Sequence, residues 1–259
     1  MIDKTQNKGT VTAGLLVIGE EILSGRTKDA NGPYIAAHLT EVGISLREMR
    51  VVADREAEIA DAVNALRGRY TYVFTTGGIG PTHDDVTTDA IAKAFGVGVS
   101  ISEDAVAAMR LQYAEEDLTP ARLRMARIPD GASLIHNAVS RAPGYMLENV
   151  IVMAGVPRIM QVMLDEVMPL LAKGAPMQVR SVRVDAPEGD VAPPLAALQE
   201  AHPDVQIGSY PFFEHKQFGT YVVLRSPNEV RVDEALEALW ELIVEKGLVA
   251  SAGDDADSA

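Results

Sequence analysis

Residues 75–89 read Thr75-Thr76-Gly77-Gly78-Ile79-Gly80-Pro81-Thr82-His83-Asp84-Asp85-Val86-Thr87-Thr88-Asp89, and their flanks decide what kind of connection this is. Upstream, Tyr70 to Phe74 is aromatic and β-branched, the composition of a buried strand. Downstream, Ala90 to Phe95 holds helix formers with apolar residues at helical spacing, and Gly96 is a C-terminal stop. A glycine-rich loop therefore joins the C-terminal end of a strand to a helix, the edge at which open α/β sheets bind ligands. Gly77, Gly78 and Gly80 permit tight turns and close backbone approach, and the N–H groups of such a loop suit phosphate oxygens. Asp84 and Asp85 follow at once. Carboxylates beside a phosphate cradle make chemical sense when a divalent cation lies between them. A turn with an aspartate N-cap is the plainer alternative, but three glycines, a proline, threonines and two aspartates in one connection favour a site. No Gly-Lys-Ser/Thr follows, so this is not a P-loop, and the glycine spacing departs from the dinucleotide fingerprint.

Outward from this stretch the chain alternates. Thr12 to Ile18 is a continuous apolar run, as in a strand covered on both faces, and Glu20 and Glu21 follow its end. Asn31 is a candidate N-cap for a helix bearing Ile35, Leu39 and Val42, which Gly43 ends. Ile44 to Val52 is a less apolar strand, expected near a sheet edge, with Asp54 after it. Ile59, Val63 and Leu66 mark the next helix. This order predicts a three-layer α/β/α domain around a mostly parallel sheet, with right-handed crossovers. Ser102 is expected to cap a helix over 103–116, and Thr119-Pro120 to open a short one carrying Arg122, Arg124 and Arg127. Residues 145–147 and 150–153 read as a hairpin. Gly155-Val156-Pro157 leads into a helix with Ile159, Met163, Leu164 and Val167 on one face.

The chain has 259 residues, 47% of them hydrophobic, and a formal net charge of −14. That balance argues against a nucleic-acid surface. The absence of cysteine excludes disulfides and thiolate chemistry. The polar N-terminus and the lack of a long apolar run imply neither signal peptide nor membrane span, which reads as a cytoplasmic protein. A small-residue linker at 172–176 separates a domain over 12–172 from a small α+β domain over 177–250. Residues 1–11 and 251–259 are expected to be disordered tails. In the second domain, strands are expected at 178–184, 205–207 and 221–225, and helices at 191–201 and 232–246.

The Thr76-to-Thr87 motif resembles the signature of the molybdopterin-binding domain family of the MoaB/Mog type. It is most similar to the branch of CinA proteins and the N-terminal part of eukaryotic FAD synthases. Gly19-Glu20-Glu21-Ile22-Leu23 resembles the segment after the family's first strand, and Asn31 its helix-start asparagine. Asn137, Ala142-Pro143-Gly144 and Gly155-Val156-Pro157 resemble its later turns, although Ala154 stands where the family has a proline. The second domain resembles, more loosely, the one that follows in CinA and FAD synthases; nothing reads as the amidase domain of many CinA proteins. The resemblance implies a pterin or nucleotide as small-molecule partner, molybdopterin among the possible ligands, and a homo-oligomer. It puts Asp54 and Asp85 on the functional carboxylates of the molybdenum-cofactor adenylyl transferases.

The candidate residues are then Asp54, Asp85 and Glu21 for catalysis, and Asp84 and Asp85 for a divalent metal (Mg²⁺, Mn²⁺ or Co²⁺). Thr76, Gly77, Gly78, Gly80, Pro81, Thr82, Asn31 and Gly144 are the candidates for ligand binding. Asp54 reads equally well as a helix cap. His83 beside the aspartates is loop filler or a metal ligand; His38, His136, His202 and His215 lack the spacing of a helix-borne metal site. Arg122, Arg124 and Arg127 read as a solvated face, with a lesser reading, shared by Lys28, in which one grips a phosphate. The expected chemistry is metal-assisted hydrolysis of a pyrophosphate bond in ADP-ribose or a related dinucleotide. The alternatives are adenylyl transfer to molybdopterin and a non-catalytic binding module.

Overall fold

The computed structural model describes residues 10–214 and 217–253. His215 and most of both expected tails lie outside them. The chain divides into two compact units, residues 1–174 and 175–259.

In the first unit the elements are β1 (Val11–Ile18), α1 (Glu20–Leu23), α2 (Asn31–Glu41), β2 (Ile44–Val52), α3 (Glu56–Arg67), β3 (Tyr72–Thr76) and α4 (Thr87–Phe95). They continue with β4 (Val99–Ile101), α5 (Glu103–Met109), α6 (Pro120–Leu123), β5 (Arg127–Pro129), β6 (Ser133–Ile135), β7 (Gly144–Leu147), β8 (Val150–Met153) and α7 (Pro157–Val167). The main sheet has the order β2-β1-β3-β8-β7-β6. Strands β2, β1, β3 and β8 run parallel, and β7 and β6 turn back in hairpins. Alternation within the strands builds a core on each face. Leu16, Ile18, Val73, Val150 and Val152 pack with α3, α4 and α5, whereas Ala13, Leu15, Val17, Phe74, Ile151 and Met153 pack with α2 and α7. The result is the three-layer arrangement, with β2 at the sheet edge.

Several boundaries depart from the sequence reading. Val11 already pairs with Ile44, so β1 begins inside the expected tail. Ser102 does cap α5, accepting from the Ala105 N–H, but the helix stops at Met109. Arg110, Leu111 and Gln112 just past its end are all exposed, Leu111 at 73%, so packing rewards a further turn only through the partly buried Tyr113. Strands β4, β5 and β6 are three residues each, too short to show a period of two.

The second unit holds β9 (Gln178–Val184), α8 (Glu188–Ala201), β10 (Gln206–Glu214), β11 (Gln217–Ser226), α9 (Glu229–Glu245) and β12 (Ala250–Ala252). Its antiparallel sheet, β10-β11-β9-β12, shares one core with α8 and α9. Ser251 and Ala252 pair with β9 rather than belonging to a tail, because the backbone edge of β9 was open to them. The β10–β11 hairpin extends well past 205–207 and 221–225. Cross-strand aromatics stabilise the extension despite Pro211 and Gly219: Phe213 and Phe218 meet at 4.6 Å, and the Phe212 ring covers Gly219.

Candidate functional site

The parallel strands β1, β2, β3 and β8 all release their chains at one end of the sheet. There the connections close around a cavity of about 470 Å³, within the usual range for a small-molecule site. Glu21 comes from β1's exit, Asp54 from β2's, and Gly77, Gly78, Gly80, Pro81, Asp84 and Asp85 from β3's. Gly155 and Val156 come from β8's.

The glycine loop is held mainly by the protein itself. Gly77 has φ +105°, and a Cβ there would lie 2.1 Å from the Ile18 carbonyl oxygen; Gly78 has φ +67°, and a Cβ there would lie 2.1 Å from Thr87 Oγ1. These glycines thus let β3's exit pass close to β1 and to the first turn of α4. The Thr87 hydroxyl donates to the Gly77 carbonyl at 2.9 Å, and its N–H to the Gly78 carbonyl at 3.0 Å. Of the backbone donors expected to cradle phosphate, the Gly77 N–H goes to the Met153 carbonyl and the Gly80 N–H to Asp85. The N–H groups of Gly78 and Ile79 have no protein acceptor among the described residues.

Asp85 is tied into this loop. One carboxylate oxygen accepts from the Gly80 N–H at 2.6 Å, and the other from the Thr82 N–H at 2.7 Å and the Thr82 hydroxyl. A carboxylate has about four lone-pair sites, so capacity for another partner remains. Asp54 does not cap α3. It accepts from the Glu20 N–H at 2.8 Å, joining β2's exit to α1. Burial pushes the Asp54 carboxyl above the usual aspartate range, the Glu20 N–H pulls it back, and the negative charges of Glu21, Asp84 and Asp85 push it up again. His83 is fully out in solvent, 3.8 Å from Asp84.

Four of the expected ligand-binding residues stand apart from the cavity lining. Gly144 is inside β7, where a Cβ would come within 2.4 Å of the Val152 carbonyl oxygen, so sheet packing explains it. Asn31 is buried rather than capping. Its Nδ2 donates to the Gly155 carbonyl at 2.8 Å, while the carboxylate of Asp29 accepts the N–H groups of Asn31 and Gly32. It therefore holds the loop after β8 in place. Thr76 is buried in β3, and Thr82 serves Asp85.

An apolar wall was not legible in the sequence. Ile79, Met125, Val156, Ile159 and Met163 line the same cavity as the acids, joined by Ser140, Ala142 and Pro143. The signal available was the i, i+4 pair Ile159 and Met163 on α7, which also reads as ordinary core. Asn137 builds the turn beside this wall: its Nδ2 donates to Ser140 Oγ and the Ala142 carbonyl, and its Oδ1 accepts from the Val139 N–H.

For a divalent cation, no three His, Asp or Glu side chains converge into a ready-made cage among the described residues. The lining carboxylates are hard oxygen donors. They fit an ion that keeps several waters and is completed by ligand phosphate oxygens, as Mg²⁺ is.

A mostly parallel α/β sheet whose strand exits enclose such a cavity defines a small-molecule-binding protein of the open-sheet class. Residues 14–173 match the family described as "probable molybdopterin binding domain", and the chain belongs to that family. Residues 176–252 match the middle domain of FAD synthase. A protein of Pyrobaculum calidifontis is 35% identical over 91% of this chain and 97% of its own length. A "probable FAD synthase" of Caenorhabditis elegans is 30% identical over 90% of this chain, which spans 50% of that relative. Among solved structures, a CinA protein from Thermoplasma acidophilum, titled as of unknown function, aligns with 37% identity and a TM-score of 0.59, covering 62% of this chain and 97% of its own. No helix among the described residues is long and apolar enough to cross a membrane.

Proposed function

We propose that the protein is a divalent-metal-dependent hydrolase of a pyrophosphate bond in ADP-ribose or a related dinucleotide. The observation that carries this reading is the meeting of Glu21, Asp54, Asp84 and Asp85 with the two unpaired loop N–H groups and an apolar wall in one cavity. The apolar wall suits the ring of a nucleotide. The N–H groups of Gly78 and Ile79 suit a phosphate oxygen and the negative charge that grows on it during attack. Asp84 and Asp85 would hold the cation, which neutralises the diphosphate when bound. Asp54, whose proton affinity is raised, orients a water and accepts its proton as the water oxygen attacks phosphorus. The P–O bond to the bridging oxygen breaks, and ADP-ribose gives AMP and ribose 5-phosphate.

The test is a panel of ADP-ribose, FAD, NAD and CoA with Mg²⁺, Mn²⁺ or Co²⁺ in turn, reading release of AMP from the first three and of adenosine 3′,5′-bisphosphate from CoA. Release from at least one substrate, abolished by chelation, is the expected result. A second reading, adenylyl transfer to molybdopterin, is favoured by the family description, and ATP-dependent adenylylation of molybdopterin identifies it. Binding of a pterin or nucleotide without turnover in either assay replaces both with a binding module.

A further inference from the structure

Three arginines crowd the segment from α6 to β5, and their partners differ. Arg122 pairs with Asp117 at 3.3 Å and lies over the Tyr113 ring. Arg127 makes a two-pronged pair with Asp89, at 3.0 and 2.5 Å. Arg124 has no carboxylate partner among the described residues, in a chain with 37 acidic residues. Its Nη2 donates to the Asp85 main-chain carbonyl at 3.3 Å, and its Nε is buried with no acceptor. Holding a guanidinium half-buried without a counter-ion is unfavourable, so its place beside Asp85 calls for an explanation beyond packing.

The cavity supplies one. Its lining includes Glu21, Asp54, Asp84 and Asp85, and no lysine or arginine. A phosphate approaching the Gly78 and Ile79 N–H groups meets that negative field. We infer that Arg124, held beside the Asp85 main-chain carbonyl, gives the glycine loop the positive charge needed to admit an anionic ligand. This rests on the reading of a phosphate-bearing ligand given above. A charge role has a signature that a packing role lacks. Removing the charge weakens binding of an anion and strengthens binding of a cation at the same site, whereas a damaged loop weakens both.

The experiment is calorimetric titration of the full chain with Mn²⁺ alone, ADP alone and adenosine alone. In Arg124→Gln the affinity for ADP is expected to fall about 5-fold and that for Mn²⁺ to rise about 5-fold, as for a unit charge several ångströms away at an intermediate dielectric. Adenosine binding should not change, and Arg124→Lys, which keeps the charge, should stay within about 2-fold of wild type for both ions. Parallel weakening of ADP and Mn²⁺ in either variant, or no change in Arg124→Gln, overturns the inference and leaves the phosphate-ligand reading standing. Thermal melts identify an unfolded variant; were Arg124→Gln unfolded, Arg124→Met, which also removes the charge, is read by the same criterion. Wild-type protein that binds neither ADP nor Mn²⁺ removes the phosphate-ligand reading, and this inference with it.

Discussion

Glu48 and Asp54 belong to the same stretch of chain, one within β2 and the other just past its end, and their surroundings are opposite. Glu48 accepts from the Tyr70 hydroxyl at 2.7 Å, from Arg50 Nε at 2.6 Å and from Arg69 Nη1 at 3.0 Å. The bond from Tyr70 and those from the arginines hold its carboxyl below the usual glutamate range. Asp54 has a single backbone donor, faces three other carboxylates and is pushed the other way. In the body of the sheet, a carboxylate is supplied with cations and hydroxyls by the fold. At the exit of β2, Asp54 is left short of partners, which is the condition of a site that expects its counter-charge from a ligand.

The contrast can be broken most severely at Asp85. Asp85→Asn retains an acceptor for the Gly80 or Thr82 N–H but loses the anion, and turnover in the AMP-release assay should fall on the order of 10²-fold. Full activity in this variant alongside a dead Asp54→Asn would exchange the roles given to the two aspartates. The next effect is structural and contrasts a glycine at the site with one remote from it. Gly77→Ala forces a Cβ against the Ile18 carbonyl at positive φ, and should cost on the order of 3 kcal/mol in denaturant unfolding. Gly96→Ala, also at positive φ but in open space, should cost about 1 kcal/mol. Equal losses would mean that the glycine loop is not sterically held.

The smallest effects sharpen the comparison of the two carboxylates through pH. Asp54 has a raised pKa in the folded state, so its ionisation works against folding. Its contribution is most favourable below the unfolded aspartate value and is lost as pH rises through the folded one. Asp54→Asn should therefore raise Tm at pH 7 by about 2 °C, after discounting for solvent screening, with the gain fading toward pH 3. Glu48 has a lowered pKa, so its stabilisation is present above the unfolded glutamate value and disappears as pH falls through the folded one. Glu48→Gln should lower Tm at pH 7 and match wild type in acid. Melting curves that shift in the same direction for both variants would show that the two environments are not opposed.

The sequence by itself determined the parts that depend on near neighbours. Apolar and β-branched runs marked β1 and β3, and helical spacing the helices, because burial leaves a composition that short windows reveal, while the less apolar β2 showed as the edge strand it is. The glycine loop and the acids at strand exits were visible because each is a cluster of unusual residues in a few positions. Tertiary structure alone decided what those residues do. Asn31 answers to the Gly155 carbonyl, a partner 124 residues away that no local pattern encodes, and Gly144 to the Val152 carbonyl across the β7–β8 hairpin, whose close packing the hairpin's sequence does not show. The apolar wall unites Ile79, Met125, Ile159 and Met163 from three separate segments, each of which alone looks like core. The loop N–H groups of Gly77 and Gly80 are taken by Met153 and Asp85, because a buried backbone donor must be satisfied by whichever acceptor the fold brings near it.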